Sequence, residues 1–113
     1  MAIIVISEPA LLRREQAPKH GATASLDPGG VDVAAAAMEA TGGLGVDVVF
    51  DAAGVQEGLD TAINAIRPRG TIVNVASWEE NPVLDMNKLL LKEANLTSGL
   101  GLVVVAYELQ HLL

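Results

Sequence analysis

The chain has 113 residues, half of them hydrophobic and 19% charged, with a net charge of -7 and no cysteine. That length allows one domain burying roughly two thirds of its unfolded surface; the composition excludes disorder, and no apolar run approaches the ~20 residues of a membrane span. The acidic balance opposes nucleic acid and anionic membrane as partners. Zero cysteine and two distant histidines argue against disulfides, iron-sulfur clusters and a metal site, and fit a reducing, cytoplasmic setting.

In chain order, Ala2 to Ser7 is β-branched and apolar and reads as a strand, without the basic start or cleavage site of a signal peptide. Pro9 to Ala17 is expected to be a helix, with Leu11 and Leu12 toward a core and Arg13, Arg14 and Glu15 outward, ended by Pro18, which removes an amide donor. Ala24 to Leu26 is a short strand, and Asp27-Pro28-Gly29-Gly30 a turn. Val31 to Ala40 is an alanine-rich helix stopped by Gly42 and Gly43. The next strand, Val46 to Phe50, is expected to be central and parallel, buried on both faces. Val55 to Ile66 carries Leu59, Ala62, Ile63 and Ile66 at helical spacing. Arg67-Pro68-Arg69-Gly70 ends that helix, Thr71 to Ala76 is a strand, and Trp78 to Pro82 a loop. Asp85 to Glu93 is a short helix and Leu96 to Leu100 a strand. Val103-Val104-Val105 favours a strand, and Tyr107 to Leu113 a helical turn or tail. Strands alternating with helices give a parallel, right-handed β-α-β series of the doubly wound α/β class.

Ligands of such sheets sit beyond the carboxyl ends of the strands. At the end of the expected central strand stands Asp51-Ala52-Ala53-Gly54, whose small side chains either admit a flat ligand or simply turn the chain. Glu8 also ends a strand. A carboxylate there can accept both hydroxyls of an adenosine ribose and repels a 2′-phosphate, favouring NAD over NADP; Arg13 could lean over the same sugar. The phosphate-binding G-x-G-x-x-G turn belongs about twenty residues before such an acid, and only seven residues precede Glu8. Neither Gly42-Gly43-Leu44-Gly45 nor Gly99-Leu100-Gly101 has its spacing. Asp51, Ser77 and His20 lack the paired nucleophile or metal ligand that an acid-base role requires, so no catalytic residue is assigned.

Ile-Val-Ile-Ser-Glu-Pro-Ala with Arg13-Arg14, His20-Gly21-Ala22-Thr23, Leu26-Asp27-Pro28, Thr41-Gly42-Gly43, the run Gly45 to Gly54, and Arg67 to Ala76 together resemble the medium-chain, zinc-containing alcohol dehydrogenases, in particular their 2,3-butanediol dehydrogenase branch. The resemblance covers residues 2 to 101, with 102 to 113 a divergent tail, and implies a partial Rossmann fold lacking its first strand and first helix. It implies that Glu8 binds the adenosine ribose with Arg13 beside it, that Ala52 and Ala53 flank the adenosine half, and that Val73, Asn74 and Val75 flank the nicotinamide. Catalytic zinc is implied only in a separate catalytic domain. Pro18 departs from the pattern, which has a helix former there.

The resemblance also implies the sheet order 3-2-1-4-5-6, whose missing strand 1 would separate the strand ending at Glu8 from the one ending at Asp51. Buried unpaired backbone groups cost about 1 to 3 kcal/mol each against a domain stability of about 5 to 15 kcal/mol. The edges are therefore expected to pair directly, to be filled by Val103-Val104-Val105, or to take strands from a second chain. Dimerisation through Leu96 to Leu100, as the family pairs, is a further expectation. One charged contact contributes about 1.5 to 3 kcal/mol, so NAD is expected to bind the chain at millimolar strength or weaker. The rival readings are a non-catalytic module that docks on a full-length dehydrogenase subunit or on its own copy through sheet edges, and a piece of a methyltransferase.

Overall fold

The computed structural model describes residues 3–100. Between Gly45 and Val46 the chain divides into two compact units, each with its own parallel sheet.

In the first unit, β1 (Val5–Ser7) pairs with β2 (Ala24–Leu26) in parallel, Val5 opposite Ala24 and Ser7 opposite Leu26. The Glu8 amide extends the ladder by donating to the Leu26 carbonyl at 3.0 Å. The crossover is α1 (Leu11–Gln16) followed by a 3-10 turn at Ala17–His20. Pro18 lies in the first turn of that segment, as its missing donor dictates, and Gly21 closes it at φ 97°. After the Asp27–Gly30 turn comes α2 (Val33–Ala40), begun by Asp32, whose side chain accepts from the Ala35 amide at 3.0 Å. The inward and outward faces of α1 differ from expectation. Leu11 and Leu12 are 59% and 73% exposed, whereas Arg14 turns in and donates to the carbonyls of Glu8 and Pro9 at 2.9 and 2.8 Å. Six residues are too few to impose a helical stripe, and a guanidinium nitrogen that finds two carbonyls sets the rotation instead.

In the second unit, β3 (Val46–Asp51), β4 (Ile66–Asn74) and β5 (Asn95–Ser98) are all parallel with β4 in the middle, linked by α3 (Gln56–Ala65) and α4 (Met86–Lys92). Leu59, Ala62 and Ile63 of α3 share a face and join Ile66, Ile72 and Leu89 in one buried cluster. Ile66 and Ile72 are fully buried, each contributing about 1.5 to 3 kcal/mol of transfer free energy. Ile66 opens β4 rather than closing α3; Pro68 biases Arg67, the residue immediately before it, toward extended backbone, so the helix does not continue through this point. The ladder then jumps, with Val46 opposite Ile66 but Val48 opposite Thr71, so that Arg67 to Gly70 bulge out between them. Arg69 takes φ 62° in that bulge, and a Cβ on Gly70 would lie 2.6 Å from Ile66 Cγ1.

Burial of β3 on both faces is not observed. Val46 and Val49 pack on the buried cluster and Asp51 is buried, but Val48 and Phe50 are 47% and 53% exposed. The middle strand of the described sheet is β4, and one face of β3 takes up the helices while its other residues point away. Among the described residues the hydrogen-bonded strands form two sheets, β1-β2 and β3-β4-β5, and Val103 to Val105 lie outside the described residues.

In the second unit, two helix ends are closed by side chains. Asp85 Oδ1 accepts from the amides of Asn87 and Lys88 at 3.1 and 3.2 Å to start α4. At its other end Lys92 Nζ donates to the carbonyls of Ile63, Asn64 and Ile66 at 2.7, 3.1 and 2.9 Å, covering the C-terminus of α3. Burial, and then the neighbouring Lys88 charge, hold the Lys92 pKa below the usual 10.5.

Candidate functional site

In the first unit, Glu8 immediately follows β1 at its carboxyl end. Its Oε1 accepts from the Ala10 amide at 3.2 Å and lies 3.4 Å from Arg13 Nε, so the described contacts of the carboxylate all fall on one oxygen. Arg13, on α1, is 76% exposed at its side chain while Glu8 is 21% exposed. The ion pair therefore orients the acid more than it stabilises the fold. Arg14 reinforces the corner, its Nη1 lying 3.7 Å from Asp27 as well as on the two carbonyls. A half-buried carboxylate with one oxygen free of described contacts matches a vicinal diol, which offers two donors.

In the second unit the last residues of the three strands stand abreast: Asp51 is opposite Asn74, and Asn74 opposite Ser98. Two backbone bonds carry the ladder past the strand ends, from Val75 N to the Asp51 carbonyl and from Gly99 N to the Asn74 carbonyl, both 3.0 Å. Ala52 and Ala53 are exposed, and Val73, Asn74 and Val75 are half-buried. Gly54, at φ 68°, allows the two rim loops to touch, since a Cβ there would lie 2.7 Å from the Ser77 carbonyl oxygen. Asn74 is committed on both ends of its amide. Its Oδ1 accepts from Trp78 Nε1 at 3.0 Å, and its Nδ2 donates to the Ala76 carbonyl at 3.2 Å. Asp51 Oδ1 accepts from the Ala53 amide at 3.2 Å.

The candidate residues thus fall into two groups: Glu8 with Arg13 on the first unit, and Ala52, Ala53, Val73, Asn74 and Val75 on the second. Ser77 and His20 are exposed, and the first shapes the rim only through its carbonyl. The residues that the sequence did not single out are Ser98 and Trp78, which join the rim through strand register and a hydrogen bond across four residues, and Lys92. Only the Asp85-to-Lys92 capping pattern left a trace in the sequence.

Matching against known families aligns residues 2–111 with the zinc-binding dehydrogenases. The chain belongs to that family. A (R,R)-butanediol dehydrogenase of Neisseria gonorrhoeae is 33% identical over 91 residues, 80% of this chain and 26% of that protein. An L-threonine 3-dehydrogenase of Pyrococcus abyssi is 31% identical over 97 residues, covering 86% and 28% of the two. The crystal structure of 2R,3R-butanediol dehydrogenase from Bacillus subtilis superposes with a TM-score of 0.80 at 33% identity, over 87% of this chain and 28% of that one. The chain therefore spans about a quarter of the length of these relatives, and its mixed α/β architecture with parallel sheets is that of their Rossmann-like region. The zinc of the family name finds no fit here, because among the described residues no three His, Cys, Asp or Glu side chains gather where they could hold a metal ion. No helix among the described residues is long and apolar enough to cross a membrane.

Proposed function

We propose that the chain is part of the cofactor-binding domain of an NAD-dependent, zinc-type alcohol or 2,3-butanediol dehydrogenase, that Glu8 binds the adenosine ribose, and that the chain does not transfer hydride by itself. The observation that carries this reading is the Glu8 carboxylate at the carboxyl end of β1, fixed through Oε1 by Ala10 and Arg13. Its second oxygen and the fixed one can together accept the 2′- and 3′-hydroxyls, and its charge disfavours a 2′-phosphate. Arg13 holds the acid's rotamer through the contact with Oε1. On the second unit, the exposed Ala52 and Ala53 leave room for the adenosine half, and Val73, Asn74 and Val75 would line the nicotinamide, with Asn74 immobilised by Trp78 and Ala76. NAD, when bound, supplies the hydride acceptor; the residues here bind and orient.

No glycine-rich helix start follows a described strand at the spacing that cradles a pyrophosphate, so the ribose contact stands without its usual companion. Calorimetric titration of the chain with NAD is therefore expected to give a dissociation constant of about 1 mM or weaker, weakened further in Glu8→Gln, with NADP binding more weakly than NAD. Micromolar affinity overturns the affinity estimate, and equal affinity in Glu8→Gln refutes the ribose assignment. A second reading, a non-catalytic module that docks on a dehydrogenase subunit or on its own copy, is favoured by β5, whose four residues are all exposed. Co-purification with a full-length subunit supports it, and turnover by the isolated chain excludes both readings.

A further inference from the structure

The second unit contains a cavity of about 170 Å³ at its strand ends, lined by Asp51, Asn74, Ser98 and Trp78 together with apolar side chains that include Leu59 and Leu96. Strand register places the three polar residues abreast on adjacent parallel strands. Side chains opposite one another in register project to the same face of a sheet. Asp51 is 6% exposed. Its Oδ1 is engaged by the Ala53 amide, while Oδ2 is buried and has no hydrogen-bond partner among the described residues. None of the described ion pairs involves Asp51 either.

A buried carboxylate oxygen without a donor is a costly arrangement that native folds avoid unless a ligand, an ion or water completes it. A metal ion does not meet the need, because among the described residues Asp51 has no second and third acidic or imidazole neighbour. What the lining calls for is a positive group carrying N–H donors on a small apolar body: the charge for the Asp51 carboxylate, a further donor for Ser98 Oγ, and apolar carbon against Leu59, Leu96 and Trp78. The indole ring is held in place by its own N–H, bonded to Asn74 Oδ1 at 3.0 Å, and an aromatic face attracts a cation. At about 30 Å³ for each water-sized group, the cavity takes roughly five heavy atoms.

We propose that this cavity is a binding site for a small primary ammonium, with the Asp51 carboxylate as its anionic partner and Trp78 as its wall. The cavity shares Asn74 with the residues assigned to NAD, but Asp51, Ser98 and Trp78 are not among them and the test contains no dinucleotide, so its outcome does not turn on the cofactor reading.

Trp78 is the sole tryptophan of the chain, so its fluorescence reports on the cavity directly. Titration of the 113-residue chain with ethylammonium chloride, against sodium chloride at matched ionic strength and against ethanol, is expected to change Trp78 emission with half-saturation in the millimolar range for ethylammonium alone. Asp51→Asn, which keeps the shape, is expected to weaken binding about tenfold or more. Leu96→Phe, on the exposed edge strand, fills the cavity and is expected to abolish saturation with the circular dichroism unchanged; it carries the test if Asp51→Asn does not fold. A response that is absent, linear, or equal with sodium chloride overturns the proposal. So does saturation that persists unchanged in Leu96→Phe or in folded Asp51→Asn.

Discussion

The two units solve the same architectural problem with different means. In the second, α3 and α4 lay an apolar cluster on β3 and β4, and Ile66 and Ile72 are wholly removed from water. In the first, a pair of three-residue strands is held largely by polar ties: the Asp32 cap, the Arg14 guanidinium nitrogen on two carbonyls and the Glu8 contacts. The buried hydrophobic residues described there are the alanines Ala17 and Ala37. Apolar burial scales with area, and alanines offer little of it, so the second unit has a core of its own while the first relies on directional bonds. The contrast suits the proposed roles. A ribose-binding acid works from a polar, solvent-reaching corner, whereas a rim that closes a cavity needs rigid strands under it.

The contrast is most directly tested in the cores. Ile72→Ala is expected to lower stability by about 2 to 5 kcal/mol, read as a fall in the urea midpoint, while Leu12→Ala in the first unit, at 73% exposure, is expected to change it by no more than about 0.5 kcal/mol. Equal effects would mean that the second unit holds no privileged core. Gly70→Ala comes next: its Cβ would meet Ile66 Cγ1 at 2.6 Å and the Arg67 carbonyl oxygen at 3.0 Å, and overpacking of this kind costs about 1 to 3 kcal/mol. A neutral outcome in the same denaturation series would show that the bulge gives way freely.

The smallest effects concern Lys92. Replacing it with methionine removes three hydrogen bonds to the end of α3, and a loss of about 1 kcal/mol is expected, because water can reach part of that corner. Its pKa lies below 10.5 in the folded chain, first through burial and then through Lys88. Between the folded midpoint and 10.5 the unfolded chain holds the extra proton, so stability rises with pH across that window and the rise is absent from Lys92→Met. NMR titration of the lysine side chains locates the midpoint; a Lys92 midpoint at or above 10.5 removes the effect.

Much of the chain order was readable beforehand. Ala24–Leu26 is a strand as its β-lean residues between turn formers require, and Val33–Ala40 and Met86–Lys92 fall inside the helices expected from propensity and capping. Leu59, Ala62 and Ile63 are buried, as their spacing demands. Glu8 and Arg13 sit together because they are five residues apart across one turn into a helix, which is a local relation. The errors arose where local pattern was too short or too symmetric to decide. Leu11 and Leu12 look inward on paper, yet Arg14 found the better bonds. Val48 and Phe50 read as core because an apolar run does not say which face a helix will cover.

By itself, the sequence determined the alternation of strands and helices, the family, and the acid that ends the first strand, since each depends on neighbours along the chain. Which residues of β3 are buried, that Asp51, Asn74 and Ser98 stand in one row, that Trp78 closes over them and that Lys92 covers the end of α3 were decided by tertiary structure. The row and the Lys92 contacts join residues 23 to 29 positions apart, and a one-residue slip in register would send every side chain of a strand to the opposite face.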